Sequence, residues 1–277
     1  MQTSRSAEFI EREYNNRALV PDHPAYFTRW EKDSAFVRET LSCDLDVPYG
    51  PDPRHRIDLF PAPMARGTLV FFHGGYWRSL DKSVFSWLAA SWVAAGVSVA
   101  MPNYRLCPDV RIEDIVDDTI AATNWLLLNG TKHGMSIDRV VVSGHSAGGH
   151  LTAALFATPW GRLKFDPARI VGGVPFSGIY DFEPMLQFGF NADFKLDRDS
   201  VARLNLGGAR PTLAAPLVIA AGAAESSEFQ RQSRLLAEAW QPQVRSLLML
   251  PGLNHFNIVD SFAERGQPLH DAALALF

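Results

Sequence analysis

The run RVVVSGHSAGGHLTAA, residues 139–154, decides the fold of this 277-residue chain. Its β-branched opening, residues 140–142, reads as a buried strand. Gly144-His145-Ser146-Ala147-Gly148 then turns the chain, and small or apolar residues continue at helical spacing. A serine on such a turn sits at the carboxyl end of a sheet in a strained conformation, and glycines two residues to either side remove side chains that would clash there. Ser146 is therefore the candidate nucleophile. A five-residue G-x-S-x-G also recurs by chance, so its reading rests on partners supplied elsewhere.

Outward from this turn, strands alternate with helices. Residues 56–60 and 67–72 read as strands, the second a continuous apolar run, and 97–101, 170–175, 216–221 and 246–250 follow. Amphipathic stretches at 82–95, 112–128 and 227–240 separate them, which predicts an α/β fold with a mainly parallel, doubly wound sheet. We expect one domain over 1–277, with an N-terminal helical arm at 1–45 made of two pieces broken at Pro21-Asp22-His23-Pro24. The aromatic but aperiodic stretch 181–199 is expected to be a lid insertion.

Composition narrows the function classes. With 47% hydrophobic and 20% charged residues the chain is an ordinary globular protein, and a net charge of −4 without a basic cluster excludes nucleic acid as an expected partner. No window approaches the roughly twenty apolar residues of a spanning helix, and the first fourteen residues lack the apolar core of a secretory signal, so no membrane association and a cytoplasmic location are expected. Cys43 and Cys107 are too few and too far apart for a disulfide framework or a zinc site; no metal and no cofactor are expected. A homodimer is left open.

A serine hydroxyl needs a base, and usually a carboxylate to orient that base. His255 lies in Gly252-Leu253-Asn254-His255-Phe256, directly after the last strand, where it can reach over the carboxyl edge of the sheet. His23 and His55 precede the sheet core, His133 sits on the opposite edge, His270 lies in the terminal helix, and His145 and His150 are too near Ser146 in sequence. For the acid, Glu225 follows the strand 217–221 and ranks above Glu228 and Asp260, both expected on helices. Ser146, Glu225 and His255 then fall in the chain order of α/β-hydrolases. Oxyanion donors are expected from the backbone N–H groups of Ala147, at a helix start, and of Gly74 and Gly75 after a buried strand.

His73-Gly74-Gly75-Tyr76-Trp77, Gly144 to His150, Glu225 and Asn254-His255-Phe256 together resemble the kynurenine formamidase (arylformamidase) group of α/β-hydrolases, relatives of the hormone-sensitive-lipase-like esterases. The resemblance implies a cytosolic, cofactor-free serine hydrolase that removes a formyl group from an N-formyl arylamine. The acid position, commonly Asp in that group, is Glu225 here. A small aromatic amide or ester substrate would meet Tyr76, Trp77 and Phe256, with Trp160 and the aromatics between Phe182 and Phe190 as further wall candidates. No Arg or Lys stands out as a reader of a substrate carboxylate. The rival readings are a broad arylamidase or carboxylesterase and a non-catalytic binding protein of the same fold.

Overall fold

The computed structural model describes residues 6–277, apart from the Trp160 side chain, so that residue's place in a substrate wall lies outside the described residues, as do the first five residues of the arm. Eight strands form one sheet: β1 (Asp44–Pro48), β2 (Arg56–Phe60), β3 (Thr68–Phe72), β4 (Ser98–Pro102), β5 (Val140–His145), β6 (Ile170–Phe176), β7 (Leu217–Gly222) and β8 (Val244–Leu250). Their order is β1-β2-β4-β3-β5-β6-β7-β8. β1 and β2 run antiparallel to their neighbours, and every pairing from β4 across to β8 is parallel.

The central strands β3, β4 and β5 are buried throughout because helices cover both faces. Val70, Phe72, Val140 and Val142 point into one core with Leu151 and Leu155 of the Ala147–Phe156 helix and with the Ile112–Asn129 and Ser227–Ala239 helices. Leu69, Phe71 and Val141 point the other way, against Trp92, Phe262 and Leu269 of the Leu88–Ala94, Ile258–Ala263 and Pro268–Leu274 helices. Period-two alternation thus supplies two cores from one run.

Three local expectations change. The arm forms three helices, Ala7–Tyr14, Asn16–Leu19 and His23–Thr40. An added break falls at Asn15, whose side chain caps the second helix by accepting from the Ala18 N–H at 3.2 Å, while Pro24 sits in the first turn of the third, where its missing N–H costs nothing. The stretch 82–95 divides into a 3₁₀ turn at Lys82–Phe85 and a helix at Leu88–Ala94. β1, with its mostly exposed residues, was not anticipated.

The arm is fastened to the late part of the chain. Tyr14 donates its hydroxyl to Glu228 Oε2 at 2.8 Å and receives Gln232 Nε2 at 2.8 Å, and Ser227 Oγ donates to Glu13 at 2.6 Å. Tyr76 donates its hydroxyl to the Tyr14 carbonyl. The stretch after β6 folds as a 3₁₀ turn at Glu183–Gln187 and helices at Asn191–Phe194 and Arg198–Leu204, burying Phe182, Met185, Phe188 and Phe194. Such short elements leave no steady period in sequence.

The turn after β5 leaves no room for side chains. A Cβ on Gly148 would lie 1.8 Å from the Phe72 carbonyl oxygen, and one on Gly144 2.2 Å from the Gly148 carbonyl oxygen. Gly148→Ala is therefore expected to cost several kcal/mol, on the order of a severe core substitution, as read by a lowered urea midpoint. A midpoint equal to that of the wild type would show that the turn can yield.

Candidate active site

Loops at the carboxyl edge of the sheet bring Ser146, Glu225 and His255 together. Ser146 leaves β5 with φ 58° and ψ −118°, a conformation a non-glycine residue holds only under strain, and its N–H is tied to the Phe176 carbonyl at 3.0 Å. Its Oγ lies 3.0 Å from His255 Nε2, and His255 Nδ1 lies 2.7 Å from Glu225 Oε2. A carboxylate accepts only, so Nδ1 carries the proton and Nε2 is left to accept from the serine. A hydroxyl so bonded can shed its proton as it attacks a carbonyl.

Glu225 is fixed from behind. Its Oε1 accepts from Ser177 Oγ and from the Gly222 N–H, each at 2.6 Å. The loops after β7 and β8 are stitched together by the Ala223 N–H on the Leu250 carbonyl at 2.8 Å and the Ala224 N–H on the Leu253 carbonyl at 3.0 Å. Ser177 escaped the sequence reading; its signal is its place at the end of β6, the strand between those carrying Ser146 and Glu225. Glu228 and Asp260 lie on helices, engaged with Tyr14 and with Arg29.

Gly74 and Gly75 border the same cavity as Ser146. A Cβ at Gly74 would stand 3.1 Å from that of Ser146, and Gly75, with φ 116°, has the Ser79 carbonyl oxygen 2.2 Å from where its Cβ would be. Among the described residues, the backbone N–H groups of Gly74, Gly75 and Ala147 donate to no protein acceptor. The loop is held by Tyr104, which stacks on His73 at 4.4 Å and donates to the His73 carbonyl at 2.8 Å. Tyr104 carried no signal beyond closing a strand.

The cavity, of about 210 Å³, is walled by Tyr76, Phe256, Phe27, Trp30 and Phe190 beside the polar groups. An apolar cavity of about 150 Å³ already admits benzene, so a small aromatic group fits. Trp77 is not in this wall. Positive φ at Gly75, Tyr76 and Trp77 turns the chain so that Tyr76 borders the cavity while Trp77 is fully buried against His150, Phe182 and Phe194. Of the insertion's aromatics, Phe190 borders the cavity and Phe182 and Phe188 do not. Arg17 and Arg78 are also among its lining residues.

Among the described residues no cluster of three or more His, Cys, Asp or Glu side chains is arranged to hold a metal ion, and no helix is long and apolar enough to cross a membrane.

Three histidines near the site are buried and neutral. Burial pushes His73 down to about 4 and His150 down to about 3; it drives His145, whose ring is 4.6 Å from that of His255, well below the ordinary value, with help from His255 itself. No second cation therefore stands beside the His255 ring. Because the unfolded chain protonates these rings near pH 6.5, their contribution to stability is complete above that pH and is lost as pH falls from about 6.5 toward 4. Urea midpoints should drop between pH 7 and pH 5, and His150→Phe should flatten that slope by about one proton, roughly 1.4 kcal/mol per pH unit. An unchanged slope would place the acid sensitivity elsewhere.

The parallel sheet, the strained serine turn and the residues gathered above it define a class that comparison also returns: the alpha/beta hydrolase fold family matches residues 69–203. A crystal structure from Silicibacter sp. TM1040, provisionally described as a thioesterase, is 32% identical with a TM-score of 0.86, covering 96% of this chain and 98% of that one. The chain belongs to the α/β-hydrolase family and is a hydrolase. Within the family it is similar to kynurenine formamidases: that of Salmo salar is 27% identical over 93% of this chain and 90% of its own length, and that of Danio rerio 26% identical over 82% and 78%. An esterase from Pyrobaculum calidifontis shares the fold at a TM-score of 0.72 and 16% identity, covering 98% of this chain and 96% of its own.

Proposed function

We propose that the chain is a serine hydrolase that cleaves the amide bond of small N-formyl or N-acyl aromatic amines through an acyl-enzyme. The observation that carries this reading is the run of contacts from Ser146 Oγ to His255 at 3.0 Å and from His255 to Glu225 at 2.7 Å, opening on an aromatic-walled cavity. Ser146 Oγ attacks the carbonyl carbon and passes its proton to His255 Nε2. Glu225 stabilises the imidazolium so formed. The N–H groups of Gly74, Gly75 and Ala147 receive the oxyanion, each donor being worth about 3 to 4 kcal/mol in comparable hydrolases.

Collapse of the tetrahedral intermediate breaks the C–N bond, and His255 protonates the departing arylamine. Water, deprotonated by the same imidazole, then releases the acid and restores Ser146. Tyr76 and Phe256 contribute flat apolar surface for the aryl ring, and the likeness to named formamidases favours an amide with a small acyl group. The same groups can open esters, and carboxylesterase NlhH of Mycobacterium tuberculosis, 32% identical over 43% of this chain, supports that second reading.

Ser146→Ala and His255→Ala are each expected to lower kcat/KM by about 10⁴-fold or more, and Glu225→Gln by about 10³-fold or more through loss of the imidazole's tautomer. Glu225→Asp should be milder than Glu225→Gln, because the charge remains. The measurement is turnover of N-formylkynurenine, with fluorophosphonate labelling mapped to the modified residue. Near wild-type turnover in either alanine variant overturns the mechanism. Comparing kcat/KM for N-formylkynurenine, an acetanilide and a p-nitrophenyl ester separates the two substrate readings: formamide well ahead of acetanilide supports formamidase action, and an ester alone leaves an esterase.

A further inference from the structure

Ser177, the residue that follows β6, holds a backbone conformation that its own side chain disfavours. Its φ is 51°, in the half of backbone space that suits glycine, and it is fully buried. A glycine would make the same turn without strain, so what the serine adds at this position is its hydroxyl. That hydroxyl donates to Glu225 Oε1 at 2.6 Å.

The end of β6 grips both sides of the site. The Phe176 carbonyl accepts the Ser146 N–H at 3.0 Å, and the Ser177 N–H is itself tied to the Ala220 carbonyl of β7 at 2.8 Å. The helix after Ser146 is pressed against the same place, where a Cβ on Gly149 would lie 2.8 Å from the Phe176 carbonyl oxygen. Glu225, by contrast, hangs its carboxylate from a loop on a side chain with three rotatable bonds. That side chain has no exposed surface, so a donor lost there is not replaced from bulk water. Without the hydroxyl, Oε1 keeps only the Gly222 N–H at 2.6 Å.

We propose that Ser177 is a positioning residue for the reaction: its hydroxyl pins one oxygen of Glu225 so that the other stays on His255 Nδ1, 2.7 Å away, and β6 thereby joins the serine turn and the carboxylate in one frame. This rests on the hydrolase reading of Ser146, Glu225 and His255 but not on a choice between amide and ester. A carboxylate free to pivot about its stem spends part of its time off the imidazole, and the imidazolium formed during attack then loses its counterion. The loss falls on turnover rather than on binding, because Ser177 does not border the cavity.

Two variants of the full chain separate the hydroxyl from the turn. Ser177→Ala removes the hydroxyl and keeps the strain, whereas Ser177→Gly removes both and should unfold at a higher urea concentration than Ser177→Ala. Both should still lower kcat about tenfold with KM within about twofold of the wild type, the scale of one charge-assisted hydrogen bond. Turnover is read on N-formylkynurenine and on a p-nitrophenyl ester, and fluorophosphonate labelling of Ser146 should slow by a similar factor. In a Glu225→Ala background, adding Ser177→Gly should change the labelling rate by less than about twofold, because the group that the hydroxyl holds is gone.

A wild type whose Ser146 takes no fluorophosphonate overturns the hydrolase reading and this role together. With Ser146 labelled, a Ser177→Gly variant that turns over and labels like the wild type overturns the role of the hydroxyl alone and assigns any defect of Ser177→Ala to the strained turn. A tenfold loss that persists in the Glu225→Ala background also overturns it, since the effect then does not pass through the carboxylate.

Discussion

The site depends on one close approach of backbone to backbone. Where β5 ends, the turn through Ser146 presses against the last carbonyls of β3, so closely that Gly148 has no space for a methyl group. The strand on the other side of that contact leads directly into His73, Gly74 and Gly75. The distance between the serine and the glycine amides is therefore set by the packing of two main chains, which side-chain rotation cannot relax. Preorganisation of this kind is what oxyanion stabilisation requires, because donors that must reorient during reaction lose much of their benefit.

Glu225 and His255 are placed by a second piece of backbone stitching. The loops after β7 and β8 bond to each other, and the glutamate reaches back three residues to the Gly222 N–H with one oxygen while the other faces His255. Ser177 adds a donor from the neighbouring strand. These two donors hold one carboxylate oxygen of Glu225 while the other meets His255.

Much of this was legible in the residues themselves. Continuous apolar runs between helical stretches give the parallel sheet, and Ser146, Glu225 and His255 each stand just after such a run, where topology sends every loop to the same edge. What was not legible depends on contacts between distant parts of the chain. β1 is short and mostly exposed, so it has no hydrophobic signature and exists through its pairing with β2. Trp77 sits beside Tyr76 in sequence but is turned inward by three successive positive φ angles, which no propensity at those positions announces. Arg17 and Arg78 read as ordinary surface charges until the arm is folded over the cavity.

That arm has a consequence for when the protein becomes complete. Tyr14 leaves the ribosome early, yet its partner Glu228 lies 214 residues later, and the chain between them must be made before they meet. One wall of the cavity and both partners of the serine thus wait for the last quarter of the chain. The early segment has to remain undocked, with Tyr14 and Trp30 unburied, through most of synthesis, and long-range closure of this kind is slow. The pocket cannot close until the segment that carries Glu225, Glu228 and His255 has been made, so the turn through Ser146 exists before its neighbours in the site do.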